Sequence, residues 1–171
     1  MKTFWLDLRQ KQNFMQQQGY QVSMLRTLLS DGSSANFLYR LTSALIRYRL
    51  TPLAFITLWL NKFINGCVLG AGCQFGKGLI LMHPCGVVIN SKVRGGDNIV
   101  IESGVVIGDE KGKAPTLGHN IFIGAGAKII GGVRVGNGVK IGANAVVVKD
   151  LPDHVTAVGI PARIIKQEDH P

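Results

Sequence analysis

The sequence predicts a mainly β chain: a parallel β-helix of about five coils behind an N-terminal α-helical region. Three observations predict it. Of 22 glycines in 171 residues, 19 lie between Gly66 and Gly142, so two compositions share one chain. Stepping by six from Leu69 gives Leu69, Phe75, Leu81, Val87, Val93, Ile99, Val105, Lys111, Leu117, Ile123, Ile129, Val135, Ile141 and Val147, thirteen of fourteen apolar. Glycine often follows these positions, as at Gly70, Gly76, Gly118, Gly124, Gly136 and Gly142. A period of six is neither the 3.6 of a helix nor the 2 of a strand. It fits a short strand and a tight corner, repeated, with the aliphatic side chain inward and glycine easing the corner. Three hexads then make one triangular coil, and coils stack about 4.8 Å apart.

The elements follow in order. Residues 1–65 read as helical. Asn36–Tyr48 has apolar residues at helical spacing, and Ser30–Ser34 is a connector. Thr51-Pro52 reads as a cap and first-turn pair for a second helix, Pro52–Ile64, that ends at Asn65-Gly66. The hexapeptide β-helix spans 66–158. Its one polar register position, Lys111, falls in DEKGKAPT, which predicts a loop leaving the wall at 109–116. Loops on rigid solenoids are where function concentrates. Residues 159–171 form a C-terminal tail.

Charge and composition exclude several classes. At 46% hydrophobic and 17% charged the chain is not disordered. The net charge is +9, and residues 1–62 alone carry 8 basic and 2 acidic groups. That balance suits an anionic partner, but no run of basic residues and no nucleic-acid motif is present, so no nucleic acid is expected. The first twelve residues are too polar for a secretory leader, and Pro52–Leu60 is half of what a bilayer crossing needs. With three cysteines in such a chain, a cytoplasmic location is expected.

The cysteines Cys67, Cys73 and Cys85 all fall four residues after an inward hexad position, so they read as core. Cys–His spacings of a zinc site are absent, and no metal is expected. His83 and His119 share the third hexad position, one column if nothing loops out between them. His83 lies in LILMHPCGVV, in a strand with apolar neighbours, where packing gives no reason for a histidine. An imidazole, titrating near pH ~6.5, suits proton abstraction at neutral pH. No nucleophile elbow, phosphate loop or dinucleotide fingerprint appears. A positioned base with backbone donors remains, which suits direct acyl transfer between two bound substrates.

These residues carry a family likeness. Residues 66–165 resemble the left-handed β-helix acyltransferases, and most nearly the serine acetyltransferase branch, through Ile123–Ile165 (IGAGAKIIGGVRVGNGVKIGANAVVVKDLPDHVTAVGIPARII). The resemblance implies left-handed coiling, a homotrimer, and acetyl-CoA as co-substrate in a cleft between subunits. His83 matches the catalytic histidine. Gly108, Gly124, Ala125 and Ala143 match backbone contacts to the pantetheine arm, Lys140 a basic residue near the CoA phosphates, and Arg163 a weaker one. The departures fall on the acceptor side. Met82 replaces an acidic residue, Val68 replaces the acid that orients the histidine, and Lys113-Ala114 stand where the family's loop has Arg-His. His119 has the wrong offset to substitute.

The segment His83-Pro-Cys-Gly-Val-Val-Ile-Asn90 is also similar to exopolysaccharide and colanic acid-type acetyltransferases, so the expected acceptor is a sugar hydroxyl of a surface polysaccharide or its precursor. The alternative is serine O-acetylation. A γ-carbonic-anhydrase-like zinc site and a non-catalytic scaffold are the remaining readings. The basic helical region and apolar Pro52–Leu60 would suit an anionic inner-membrane surface; core or subunit packing is the simpler reading of that helix.

Overall fold

A computed structural model describes residues 2–167. Four helices come first: α1 (Lys2–Gln17), α2 (Met24–Leu28), α3 (Ser33–Arg47) and α4 (Thr51–Asn65). The chain then winds as a parallel solenoid with three faces. Face A stacks β1 (Val68–Leu69), β4 (Val88–Ile89), β7 (Val106–Gly108), β10 (Lys128–Ile130) and β13 (Val146–Val147). Face B stacks β2 (Gln74–Phe75), β5 (Arg94–Gly95), β8 (Thr116–Leu117) and β11 (Arg134–Val135). Face C stacks β3 (Ile80–Leu81), β6 (Ile99–Ile101), β9 (Ile121–Ile123), β12 (Lys140–Ile141) and β14 (Val155–Val158), and β15 (Arg163–Gln167) closes it antiparallel to β14. The predicted β-helix with its helical preface is thus the observed fold, at between four and five turns. His170 and its neighbours from 168 onward lie outside the described residues.

The core is a column of aliphatic side chains, and every apolar position of the six-residue step is buried. The register is nonetheless not uniform. Val88 pairs with Val68, twenty residues back, and Lys128 with Val106, twenty-two back, while Val88–Val106 and Lys128–Val146 pair at eighteen. Two residues are inserted at the corner after β3 and four at the loop after β7. Between the insertions, the step of six lands on Val87, Val93, Ile99 and Val105, two residues before the positions that stack on Leu69, Phe75 and Leu81. Ile89 and Ile101 are buried too, while Gly95 on face B is only partly so, and the apolar run Val87, Val93, Ile99, Val105 keeps the slip out of the hydropathy.

Three local expectations are corrected. Thr51 is not the cap of α4: Leu50 holds that position without a side-chain bond, and Pro52 still sits in the first turn. Cys67 and Cys73 are buried, but Cys85 is exposed because it lies in the lengthened corner. His83 is not in a strand: it sits in that corner at φ +50°, a left-handed backbone unusual for a residue with a Cβ.

The helices cap the open end of the solenoid, as a terminal coil requires. Asp7 of α1 is fully buried. It accepts from Arg40 Nε (2.7 Å) and from the N–H groups of Gly78 (2.7 Å) and Leu79 (3.1 Å). Arg40 of α3 also donates to the Phe75 and Gly76 carbonyls, Asn36 Nδ2 to the Leu79 carbonyl, and Tyr39 Oη accepts from Phe75 N–H. Helix α4 is inverted. It buries Ala54, Thr57 and Asn61, with Thr57 bonded to Thr42 at 2.7 Å, and exposes Leu53, Ile56, Trp59 and Phe63.

Candidate active site

His83 projects from the corner between faces C and A, which is two residues longer than the corners stacked on it. Its Nδ1 lies 2.8 Å from Asp31 Oδ2, with both side chains more than half exposed. Asp31 comes from the turn before α3, and the turn is held close by Gly32. Gly32 caps α3 at φ +82°, and a Cβ there would sit 2.1 Å from the Leu81 carbonyl oxygen. Only glycine lets this turn touch the strand that leads into His83.

Bonded this way, Nδ1 carries the proton toward the carboxylate and Nε2 is left with a free lone pair. Asp31 thus meets His83 from the helical region and not from position 68, where the family resemblance implies an acid. Val68 itself faces outward at the start of face A.

A cavity of about 180 Å³ opens beside His83, walled by Lys11, Phe14, Met15, Tyr20, Asp31 and Met82. Burial pushes the Lys11 ammonium down to about 8, against the pull of Asp31. One coil along the same edge, burial pushes the Glu102 carboxyl up.

The predicted residues separate into groups by edge. The β3–β6–β9–β12 register puts Gly124 in the column of Met82, two coils on, and past the lengthened corner Ala125 and Ala143 stack in line with Cys85, along the edge from which His83 projects. Small side chains along this edge leave backbone open to a thin, extended ligand. Gly108 ends β7 at the opposite edge of face A, and Lys113 and Ala114 belong to the loop there, where Glu110 and Lys113 exchange backbone hydrogen bonds. Lys92 pins that loop to Asp109 and the Gly112 carbonyl.

His119 is not in the column of His83, because the two residues inserted after β3 and the four after β7 together displace it by one face, to the corner between faces B and C. There its Nδ1 accepts from Asp97 N–H at 3.0 Å, and its own N–H bonds Asn137 Oδ1. It is part of a corner ladder, not of the candidate site. Lys140 opens β12 on face C, and Arg163 lies exposed on β15.

Sequence reasoning missed Asp31 and Lys11. The available signal was scarcity: Asp7 and Asp31 are the only acidic groups in residues 1–62, and both anchor contacts between elements. Among the described residues no three His, Cys, Asp or Glu side chains converge as metal ligands. No helix there is long and apolar enough to cross a membrane.

Comparison with known proteins settles the family. The hexapeptide-repeat family described as bacterial transferase hexapeptide (six repeats) matches residues 114–149. A serine acetyltransferase of Helicobacter pylori is 43% identical over 145 residues, which are 82% of this chain and 85% of the relative. The chain belongs to the serine acetyltransferase family. Another family member, from Staphylococcus epidermidis, is 43% identical over 113 residues, 64% of this chain and 53% of its own. The solved serine acetyltransferase of Brucella abortus superposes with a TM-score of 0.89 at 30% identity, covering 97% of this chain and 68% of that one. The same organism's enzyme has also been solved with coenzyme A. As a member of the family, the chain is an acetyl-CoA-dependent O-acyltransferase on a left-handed β-helix.

Proposed function

We propose that the chain O-acetylates L-serine, with His83 as general base and Asp31 as the residue that positions it. The observation that carries this is the His83–Asp31 contact at the mouth of the cavity, on the edge that also carries Gly124, Ala125 and Ala143. Asp31 holds the ring with Nε2 toward the cavity. Nε2 takes the proton of the acceptor hydroxyl as its oxygen bonds to the acyl carbon. Acetyl-CoA supplies the acyl group as a thioester, and His83 returns the proton to the departing thiol. The backbone at Gly124, Ala125 and Ala143 faces the pantetheine arm, with the Gly124 N–H itself given to the Ile141 carbonyl, and Lys140 and Arg163 offer charge to the CoA phosphates.

A homotrimer completes the site in this reading. His83 and the 109–116 loop flank opposite edges of face A in one protomer, so a three-fold packing of A faces would set one subunit's His83 edge against its neighbour's loop. The outer side of face A supports this: Val68 and Val88 are exposed there, near the bare apolar side of α4. A cytoplasmic setting fits a reaction that uses acetyl-CoA.

The sugar-hydroxyl reading keeps one observation in its favour: Phe14, Met15 and Met82 make the cavity wall less polar than a free amino acid asks for. Thiol release from acetyl-CoA with L-serine and with a saccharide panel decides between them. Turnover on serine at an ordinary enzymatic rate (on the order of 10 per second) upholds the proposal. Turnover on a saccharide alone overturns it in favour of the second reading. Sedimentation of the protein as a monomer would remove the trimer.

A further inference from the structure

Lys11 sits on α1 four residues after Asp7, on the same inward side, and is 4% exposed. Its Nζ donates to Ser33 Oγ at 3.2 Å and to the Asp31 backbone carbonyl. An ammonium has three donors, so a third is uncommitted by these bonds. Among the described residues Lys11 forms no ion pair, and the nearby carboxylate of Asp31 is turned to His83. A buried cation without a contacting counter-ion is costly to keep. This one lines the same cavity as His83, a space of about 180 Å³. The cavity therefore offers a small ligand one buried positive charge and one base.

We propose that Lys11 sets acceptor specificity: its ammonium receives a carboxylate carried by the hydroxyl acceptor and holds the acceptor with its hydroxyl toward His83. This rests on the reading of the His83 cavity as the acceptor site. It relocates anion recognition from the loop, where Ala114 offers none, to the helical cap. The shared chemistry is a carboxylate beside a hydroxyl, met by L-serine and by a uronic acid sugar alike.

The test pairs each acid with its neutral counterpart: L-serine with serinol, and D-glucuronate with D-glucose. Thiol release from acetyl-CoA is measured for wild type and Lys11→Met, with the melting temperature of each in the presence of L-serine, D-glucuronate or acetate. Lys11→Met replaces a buried charge with an apolar chain of similar length and should fold; Lys11→Gln serves if it does not.

Wild type should prefer the acid over its neutral partner on the order of 10- to 100-fold. Lys11→Met should lose that preference through KM for the acceptor, with KM for acetyl-CoA changed by less than about twofold. The acid that works names the source, serine or uronic acid, and either upholds Lys11. A variant that keeps the wild-type preference overturns the proposal while leaving the acetyltransferase reading intact. So does a wild type that accepts serinol or glucose equally well. If no acceptor turns over, carboxylates must still raise the melting temperature of wild type and not of the variant; the absence of that difference also overturns it.

Discussion

Replacing Asp7 with Ala should loosen the helical cap and, with it, the acceptor side of the site. Asp7 is fully buried; its Oδ2 accepts from Arg40 Nε (2.7 Å), and its Oδ1 accepts from Arg40 Nη2 (3.1 Å) and from the Gly78 and Leu79 N–H groups. Burial pushes the carboxyl up, and Arg40 and the two N–H groups pull it back, so the group is held by its partners and not by water. Removing one member of a buried ion pair costs about 3–5 kcal/mol because the other charge stays behind. Two orphaned N–H groups would add about 1–3 kcal/mol each if they stayed dry. Arg40 keeps the Phe75 and Gly76 carbonyls, and the vacated space admits water, so about 4 kcal/mol is the expected total. At about 2–4 °C per kcal/mol for a chain of this size, the melting temperature should fall by roughly 10 °C. Protein concentration must be held fixed, since subunit association would shift the midpoint. Asp7→Asn keeps volume and one acceptor oxygen and should lose about half as much. Lys11 lies one helical turn on, so the acceptor KM should rise in Asp7→Ala before global unfolding sets in. A loss under about 1 kcal/mol, the range of an exposed pair, would refute the clamp.

His83→Ala should lower kcat by at least about 100-fold with a melting temperature near wild type, since the ring is exposed; retained turnover removes it as base. Gly32→Ala drives a Cβ into the Leu81 carbonyl at a left-handed φ and should cost about 1–3 kcal/mol while moving Asp31 off His83. Unchanged kcat in that variant would separate Asp31 from catalysis. Lys140→Ala should raise KM for acetyl-CoA more than it lowers kcat, and an unchanged KM would end its assignment to the CoA phosphates.

The solenoid was legible in the sequence because each inward position recurs with the period of its own wall, from Leu69 to Val147. The two insertions were not equally legible. The one at 109–116 breaks hydropathy at Lys111 and shows itself. The one around His83 does not, because a slip of two residues moves the reading frame from one buried row to another, from Ile89 to Val87 and from Ile101 to Ile99. That degeneracy hid the lengthened corner and made His83 read as a strand residue in line with His119. The helical cap was legible as helix but not as a partner of the site. The reach of Asp31 to His83 depends on a contact fifty-two residues apart in the chain, which no periodicity encodes. The inverted polarity of α4 was similarly invisible, since its composition fits a core helix and only the packing of Thr57 on Thr42 reveals which side is in.

A solenoid end must be covered, or the strand edges and apolar column of its first coil face water. Here the cover is α1 and α3, fixed by Asp7, Arg40, Asn36 and Tyr39 to backbone groups of the first coil. The lengthened corner that carries His83 closes that same coil. Any side chain that meets His83 from this protomer's helical region must therefore come from the cover, as Asp31 does, and Lys11 of the cover lines the same cavity. Capping and acceptor recognition are one structural problem in this chain. A change that loosens the cap should be felt in acceptor KM, whereas the column of Ala125 and Ala143, seated on later coils, should keep its affinity for acetyl-CoA. The two substrates are thus predicted to respond separately to damage at the two ends of one edge.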